Sequence, residues 1–363
     1  MNLLFFIETG LGNGRAMADE AIAIHDHGGL TIFTVSSGYD QEPGVTESVI
    51  NKGISNLCLK HLDEHKDFMR HSKILHMFIE EKDINIVHVQ SNWALLLVRY
   101  AMVGIKKKPK IIYTIHAFRN NKSFLKRNTA RLMISAMLIL LADKVITCSR
   151  FMYDSFKIIN YKSVILPLGV DNRFIDRSYK EVSGPMRIIF PGMFREGKGQ
   201  DMLIRAFALY RQETDDKDSV VYLPGDGELL NPYKKLVNNY GLQNQIIFPG
   251  KLPKDKILEL FDQCNILACT SKSETFSQIL AEGYCLGKCI VTRPVGIAND
   301  IVVNCENGFI IQNDTQLKDV LCQLSLDKSK YAKMGEFNYN HRFYFSWDKI
   351  TKEYLDICKS LFS

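Results

Sequence analysis

The sequence lacks the features that mark disulfide-rich, metal-binding and membrane-spanning proteins. None of its nine cysteines forms a Cys-x-x-Cys pair or another metal-ligand spacing, and no secretory signal precedes them. We therefore expect reduced thiols and a cytoplasmic location. The first apolar run, Leu3 to Ile7, is far shorter than a signal-peptide core or a membrane span. We interpret it as a first buried strand.

Acidic residues are missing from one long stretch. Residues 84–142 contain ten lysines and arginines, among them Lys106, Lys107 and Lys108, and no aspartate or glutamate. Such a stretch attracts polyanions or an anionic membrane surface. A solvated basic face is the alternative. No RNA-binding signature or zinc finger accompanies it, so a nucleic-acid partner is not expected.

The dinucleotide-binding fingerprint is also absent. The turn ETGLGNGR places Gly10, Gly12 and Gly14 between a strand and a helix, but its third glycine falls too early and the expected acid is missing. Glycines there let the backbone approach an anion at a helix N-terminus. Gly12 and Gly14 therefore predict a phosphate or acceptor loop, and a plain tight turn is the alternative.

What is present is an alternation of short apolar strands and helical stretches, the pattern of parallel α/β layers. The series runs from NLLFFIE to KSVILPLGV and begins again with MRIIFPG after a Ser-Gly-Pro break at residues 183–185. We predict two Rossmann-like domains, residues 1–175 and 184–340, facing each other across a cleft. Ligands of open parallel sheets bind at the carboxyl ends of the strands, so the cleft is the predicted active site.

Two motifs in the second half carry charge. In PGMFREGKGQD, Arg195 and Lys198 follow a strand and precede a helix, a setting that suits a diphosphate; two exposed loop cations are the alternative. In SETFSQILAEGYC, Glu274 and Glu282 lie among small and apolar residues. A buried carboxylate is costly unless something pairs with it, so both predict ligand contacts.

The order of these motifs resembles that of the retaining GT-B glycosyltransferases of group 1, or family 4. The family has a glycine and cations before Lys-Gly, then Gly-x-Gly, Phe-x-Gly and Ser-x-x-Glu, with a second glutamate further on. The matching positions here are Gly192, Lys198-Gly199, Gly225 to Gly227, Phe248 to Gly250, Ser271 to Glu274, and Glu282. The resemblance spans nearly the whole second half and is looser in the first, through YTIHAF, ADKVITCS and LPLGVDNRF.

Two positions depart from the family pattern. Met193 stands where the family usually has an arginine, and Arg195 comes two residues later. The family's Glu-Gly-Phe-Gly is here Glu274-Thr275-Phe276-Ser277. We expect Arg195 still to reach the diphosphate, and the loop to tolerate the second change if its backbone N–H groups make the contacts.

The resemblance implies a role for each of these residues. Residues 184–340 would bind a nucleotide sugar, with Glu282 on the ribose hydroxyls and Glu274 on the sugar hydroxyls. Glu282 lies eight positions after Glu274, so we expect both to share one face of a helix, about 12 Å apart, which suits the two ends of such a donor. Phe276 and Ser277 would offer backbone N–H groups, and the donor site would be completed by Gly192, Gly225 and Gly250. Arg195 and Lys198 would stabilise the leaving diphosphate.

The first half would bind the acceptor. The resemblance places His116 at a strand end that faces the cleft, where it would contact the sugar or the acceptor near Gly12 and Gly14. His88, also on an apolar strand, is interpreted as a core residue. The family implies no metal and no cofactor. It also implies that a last helix within residues 343–363 packs back on the first domain, and its apolar stripe supports this.

The predicted function is that of a retaining hexosyltransferase that moves a sugar from a nucleotide-diphosphate sugar to a saccharide acceptor. The basic segment, with Phe124 and Leu125, further predicts a lipid-linked acceptor, peripheral binding to the inner face of the cytoplasmic membrane, and a role in bacterial surface polysaccharide synthesis (O-antigen, capsule or exopolysaccharide). We interpret residues 132–141 as a core helix. Two alternatives are a non-catalytic assembly subunit, disfavoured by intact Lys198, Glu274 and Glu282, and a Rossmann oxidoreductase, disfavoured by the missing fingerprint.

Overall fold

The protein is represented by a computed structural model that describes residues 1–7, 14–37, 44–62, 67–116 and 124–363. The described chain divides into a first unit, residues 1–169 with 347–363, and a second unit, residues 170–346. Each unit has its own parallel sheet flanked by helices. The predicted fold class of two Rossmann-like domains is therefore confirmed.

The sheet of the first unit has seven strands in the order β3-β2-β1-β4-β5-β6-β7, and all of its pairs are parallel. Its strands are β1 (Asn2–Ile7), β2 (Thr31–Ser36), β3 (Ser55–Cys58), β4 (Ile86–Val89), β5 (Lys110–Ile115), β6 (Lys144–Thr147) and β7 (Ser163–Ile165). Its first helices are α1 (Gly14–Gly28), α2 (Val45–Asn51), α3 (Phe68–Glu81), α4 (Asn92–Ala101), α5 (Phe124–Leu141) and α6 (Arg150–Ser155), followed by a 3-10 helix, Lys157–Lys162.

The second unit repeats the design with six parallel strands in the order β10-β9-β8-β11-β12-β13. The strands are β8 (Arg187–Ile189), β9 (Val220–Pro224), β10 (Ile246–Gly250), β11 (Ile266–Cys269), β12 (Cys289–Thr292) and β13 (Gly308–Ile310). The helices are α7 (Asn172–Ile175), α8 (Gln200–Thr214), α9 (Leu230–Asn239), α10 (Lys254–Asp262), α11 (Gln278–Cys285), α12 (Ala298–Ile301), α13 (Asp314–Leu326) and α14 (Lys328–Asn340), with a 3-10 helix at Arg342–Phe345.

The last helix, α15 (Trp347–Lys359), returns to the first unit. Its Ile350, Tyr354 and Ile357 are buried in one core cluster with residues of β1 and α1. The apolar residues of α15 recur every three or four positions, so one stripe of the helix faces this core. At the start of the helix, Trp347 packs so closely on Gly169 that a Cβ there would overlap its ring.

Each sheet has a switch point, where the strand order reverses. In the first unit it lies between β1 and β4, and in the second between β8 and β11. Segments that follow neighbouring strands of a switch point diverge to opposite faces and leave a crevice at the carboxyl edge. The loops after β8 and β11 contain Lys198 and Glu274, so both residues fall at the switch point of the second sheet.

Helix α5 is less buried than predicted. The expectation of a core helix over residues 132–141 was wrong in part: Leu138 is fully buried, but Leu132, Met133 and Leu140 are 55%, 68% and 77% exposed. Helix α5 packs against α4 and the 3-10 helix Lys157–Lys162, which cover only part of its apolar side chains. An apolar surface therefore remains on the outside of the first unit.

Candidate active site

Three hydrogen bonds to backbone carbonyls join the loops after β8 and β11. The Thr270 hydroxyl donates to the Gly199 carbonyl at 2.7 Å, the Ser271 hydroxyl to the Lys198 carbonyl at 3.2 Å, and the Lys272 N–H to the Gly197 carbonyl at 2.8 Å. Gly199 has a φ of +79°, and a Cβ there would overlap the Thr270 carbonyl. Only glycine fits this close approach without strain.

These bonds bring a predicted cation and a predicted carboxylate together. The Lys198 ammonium lies 2.8 Å from Glu274 Oε1, and both side chains are partly buried. The two groups form a partly buried ion pair between the loops that follow β8 and β11. It offers one positive and one negative hydrogen-bonding group at the edge of the sheet.

Arg195 is not part of this pair. Its side chain is exposed, and no described residue forms a hydrogen bond or ion pair with its guanidinium. Met193, at the family's usual arginine position, is also exposed. The structure therefore brings Lys198 and Glu274 together and leaves Arg195 at the solvent-facing side of the loop.

The geometry expected for the two glutamates was wrong. Helix α11 begins at Gln278, so Glu274 lies in the preceding loop and the helical spacing does not apply. Ser277, at the N-cap, has a φ of +74° and no side-chain cap. The Gly296 N–H donates to the Glu274 carbonyl at 3.1 Å, which holds the loop against the turn after β12. In the described structure, the N–H groups of Phe276 and Ser277 donate to no protein acceptor. A helix start of this kind can bind an anion.

Glu282 occupies a different environment, on α11. Burial raises the pKa of its carboxyl group to about 7, while the nearby Lys254 lowers it and Asp171 raises it. The Lys254 ammonium is 2.8 Å from Asp171, which also pairs with Arg173 at 3.0 Å. Glu282 is thus a partly desolvated carboxyl group next to cations that are already paired.

A cavity of about 480 Å³ opens at the carboxyl ends of β8, β9 and β10. Its lining includes Gly192, Gly225, Leu252 and Ile257. A Cβ at Gly225, whose φ is +151°, would overlap the Gly192 carbonyl. The Gly225 N–H donates to the Gly250 carbonyl at 2.9 Å, so the three predicted glycines lie together. The cavity is largely apolar and large enough for a planar ring system.

In the first unit, Gly12 lies outside the described residues, and Gly14 is the buried first residue of α1. His116 is buried directly after β5, and its Nε2 atom has no hydrogen-bond partner in the described structure. Burial lowers the pKa of its imidazole to about 4, so the ring is neutral at physiological pH. His88 is instead held by Thr114 and Tyr354, which confirms that it is a core residue.

Gln90 was not singled out from the sequence. It follows β4, is buried, and neither its Oε1 nor its Nε2 has a partner among the described residues. The only signal in the sequence was a polar residue at the end of an apolar strand.

In the described ranges of the chain, no cluster of three His, Cys, Asp or Glu side chains could hold a metal ion. No helix there is long and apolar enough to cross a bilayer.

Two family models match the chain in succession. The model of Glycosyltransferase Family 4 matches residues 25–174, and that of Glycosyl transferases group 1 matches residues 171–341. The chain therefore belongs to the group 1 glycosyltransferases and is a transferase. This finding contradicts the alternative of a Rossmann oxidoreductase.

The chain is similar to an uncharacterized glycosyltransferase, MJ1069, of Methanocaldococcus jannaschii, with 27% identity over 77% of this chain and 76% of the relative. It is 26% identical to the D-inositol 3-phosphate glycosyltransferase of Corynebacterium aurimucosum over 49% of this chain, but only 44% of that relative. Among solved structures, Anabaena HepE has a TM-score of 0.80 at 17% identity over 99% of this chain and 100% of HepE. HepE was solved with UDP, with UDP and glucose, and with UDP-glucose. The likeness to HepE identifies the fold as GT-B.

Proposed function

We propose that the enzyme moves a sugar from a nucleotide-diphosphate sugar, bound by the second unit, to a saccharide acceptor bound by the first. The observation that carries this proposal is the Lys198–Glu274 pair at the switch point of the second sheet. It combines a cation for the diphosphate with a carboxylate for sugar hydroxyls. The structures of HepE with UDP and UDP-glucose support a donor of this kind.

The other residues of the second unit accommodate the rest of the donor. The N–H groups of Phe276 and Ser277 would receive phosphate oxygens at the start of α11, where the helix dipole favours negative charge. The cavity beside Gly192 and Gly225 suits the nucleobase, because its walls are mainly apolar. Glu282 would bind the ribose hydroxyls. The exposed Arg195 could turn inward onto the departing diphosphate.

The bond that breaks joins the anomeric carbon to the diphosphate oxygen. Lys198 and the helix start stabilise the charge that the leaving group gains, which is the largest electrostatic demand of the reaction. We propose retention: the acceptor hydroxyl attacks from the leaving-group side, and its proton passes to the departing phosphate oxygen. No metal or cofactor is required in this scheme. Activity that disappears in excess EDTA and returns with Mg²⁺ or Mn²⁺ would contradict this part of the proposal.

We further propose a lipid-linked acceptor, and hence peripheral binding to the inner face of the cytoplasmic membrane and a role in surface polysaccharide synthesis. The support is the apolar outer side of α5, which continues onto the 3-10 helix through exposed Ile158 and Tyr161. Cations of the same unit would favour anionic lipid; Lys106 and Lys108 are exposed and not paired with any described acid.

The basic stretch supports membrane binding less strongly than its composition predicted. The stretch itself contains no acid, but acids just outside it pair with three of its ten cations. Asp143 lies 3.2 Å from Arg99 and 3.7 Å from Lys110, and Asp83 lies 3.5 Å from Lys107. Arg119 and Lys122 lie outside the described residues, and so do the side chains of Phe124, Leu125, Lys126 and Arg127.

A soluble acceptor is the second candidate. The relative named D-inositol 3-phosphate glycosyltransferase aligns with about half of this chain, and its name specifies a small phosphorylated acceptor. Membrane binding distinguishes the two candidates, and the corresponding vesicle experiment is set out in the Discussion.

Hydrolysis and transfer with a panel of nucleotide sugars test the donor assignment. We expect one or a few donors to be turned over, with release of the nucleoside diphosphate. Proton NMR of the product then gives the anomeric configuration, and inversion would overturn the proposed mechanism. If the protein binds UDP but turns over none of the nucleotide sugars, the proposal that its donor is a nucleotide sugar is wrong.

A further inference from the structure

A cleft of about 270 Å³ lies on the first unit, between α5 and the segment that joins α6 to the following 3-10 helix. Its lining includes Asn128, Arg131 and Leu132 from α5, and Asp154, Lys157 and Ile158 from the other segment. Residues three and four apart on a helix share a face, so the three side chains of α5 line one wall. No residue of the donor or acceptor sites proposed above lies in this cleft.

One side chain holds the two walls together at the far end of α5. The Lys162 ammonium donates to the carbonyls of Ile139, at 2.9 Å, and Ala142, at 2.7 Å. The last carbonyls of a helix have no partner within it, and a lysine side chain can satisfy them. Lys162 thus fixes the end of α5 to the end of the 3-10 helix, and the cleft lies nearer the start of α5.

The cleft combines charged groups with an exposed apolar rim. Arg131 is half-buried, whereas Lys157 and Asp154 are exposed and form no ion pair with a described residue. The rim includes Leu132 and Ile158, which are 55% and 58% exposed. A guanidinium and an ammonium suit the oxygens of a phosphate group. Apolar side chains on the rim suit the hydrocarbon of the same ligand, so the lining matches an amphiphile that carries a phosphate.

The position of the cleft agrees with such a ligand. α5 follows β5 and α6 follows β6, and these two strands are parallel. Both helices therefore begin at the carboxyl edge of the sheet, where the acceptor is proposed to bind. A bilayer that receives Leu132 and Ile158 would hold the cleft at the depth of the lipid headgroups. It would also keep the acceptor edge close to the membrane surface.

We propose that this cleft binds the headgroup of an anionic, hydroxyl-bearing phospholipid of the phosphatidylglycerol type. Arg131 and Lys157 donate to the phosphate oxygens, and Leu132 and Ile158 contact the acyl chains. Asp154 accepts a hydrogen bond from a headgroup hydroxyl, since a carboxylate next to a phosphate needs a donor from the ligand. The inference rests on the proposed membrane binding and names the residues and the lipid class that this binding involves.

Sedimentation with phosphatidylcholine vesicles that contain phosphatidylglycerol tests the site. Arg131→Gln and Lys157→Gln should each weaken binding about tenfold, because each removes a hydrogen bond to a charged group. Lys157 is exposed, so Lys157→Gln should leave the Tm unchanged. Lys60→Gln is the matched control, since it removes one charge from an exposed lysine of the same unit that does not line the cleft. The control should weaken binding by less than about twofold, because salt screens a distant charge.

Three results would overturn the site. Equal losses in Lys60→Gln and the two cleft variants would show attraction by overall charge only. Unchanged binding of both cleft variants, with a wild-type protein that sediments, would overturn the cleft and leave membrane binding intact. A wild-type protein that binds glycerol 3-phosphate but sediments with no vesicle would assign the cleft to a soluble phosphate and overturn membrane binding as well. Failure of the donor assignment looks different, since it appears as an absence of nucleotide-sugar turnover in the wild-type enzyme.

Discussion

At the scale of single residues, the candidate site contains charged groups that are partly buried. Lys198 and Glu274 form a close pair, but both remain partly exposed, so solvent screens their attraction. Glu282 is partly desolvated, and burial raises the pKa of its carboxyl group. Side chains in this condition are better explained by a ligand than by stability.

Lys198→Ala and Glu282→Ala should therefore remove most activity without unfolding the protein. We expect turnover to fall by about 10²–10³ for Lys198→Ala, since one electrostatic contact to the leaving group is lost, and a large loss for Glu282→Ala. The Tm should stay close to that of the wild type. Nucleoside diphosphate release and calorimetry provide the two measurements.

Lys272→Ala is the control for this experiment, because Lys272 is in the same pair of joined loops and its side chain is exposed. It should retain nearly full activity. Near-wild-type turnover in Lys198→Ala or Glu282→Ala, at an unchanged Tm, would remove that residue from the donor site.

At the scale of elements, the first unit is held together by the packing of α1 against α15. The shared core contains Met17, Ile24, Ile350 and Tyr354. Glu20 is buried on α1 in the same region, and burial raises the pKa of its carboxyl group from 4.5 to about 8. The helix pair thus carries a carboxyl group that is neutral at physiological pH and costly to ionise.

Glu20→Gln should change how stability depends on pH. Between pH 4.5 and about 8 the folded protein holds a proton on Glu20 that the unfolded chain has lost. The contribution of Glu20 to stability is therefore fully present below pH 4.5 and is lost as the pH rises through 8. Each pH unit in this window costs up to about 1.4 kcal/mol. Denaturant unfolding at several pH values should show an advantage of Glu20→Gln that grows with pH.

The exposed Glu47 on α2 provides a matched substitution. Glu47→Gln should follow the wild-type pH dependence throughout. If Glu20→Gln did the same, the carboxyl group would not be desolvated between the two helices.

Removal of α15 should destabilise the first unit severely. A chain that stops after Ser346 loses Ile350, Tyr354 and Ile357 from the core. Each buried apolar side chain is worth about 1.5–3 kcal/mol, and a whole domain is stable by only about 5–15 kcal/mol. We expect no cooperative unfolding of residues 1–169 by calorimetry. A chain that stops after Leu361 keeps the helix and should behave as the full chain. If the chain that stops after Ser346 were stable and fully active, the proposed packing role of α15 would be wrong.

At the scale of the whole molecule, charge is unevenly distributed along the chain. Residues 1–170 carry a net charge of +6 and residues 171–363 carry none. The exposed apolar residues of α5 and the following 3-10 helix belong to the same first unit. An anionic membrane is complementary to both features, and each cation near the lipid contributes about 1 kcal/mol.

We therefore expect the protein to sediment with vesicles that contain anionic lipid, and less so as salt rises. Replacing Leu132, Met133 and Leu140 with serine should weaken sedimentation, and so should replacing Lys106, Lys107 and Lys108 with glutamate. The matched control replaces the exposed Lys234, Lys235 and Lys333 of the second unit with glutamate. Equal binding to anionic and neutral vesicles, or none to either, would favour the soluble acceptor.

Strand and helix positions could be predicted mainly where burial imposes a regular pattern. The apolar runs NLLFFIE and MRIIFPG predict β1 and β8 correctly, because both faces of these strands are covered. β3, with the sequence SNLC, was missed because this edge strand is polar and half-exposed. Its only signal is its pairing with β2, and pairing with a distant strand leaves no local trace.

By itself, the sequence determined the fold class, the family and the identity of the candidate donor-site residues, because short motifs and periodic apolar runs are local properties of the chain. Only the tertiary structure decided that Lys198 pairs with Glu274, that Glu274 lies outside the helix of Glu282, and that Gln90 is buried without a partner. It also revealed the exposed side of α5 and the acids that neutralise part of the basic stretch. These properties depend on which distant segments meet, and spacing along the chain does not record that.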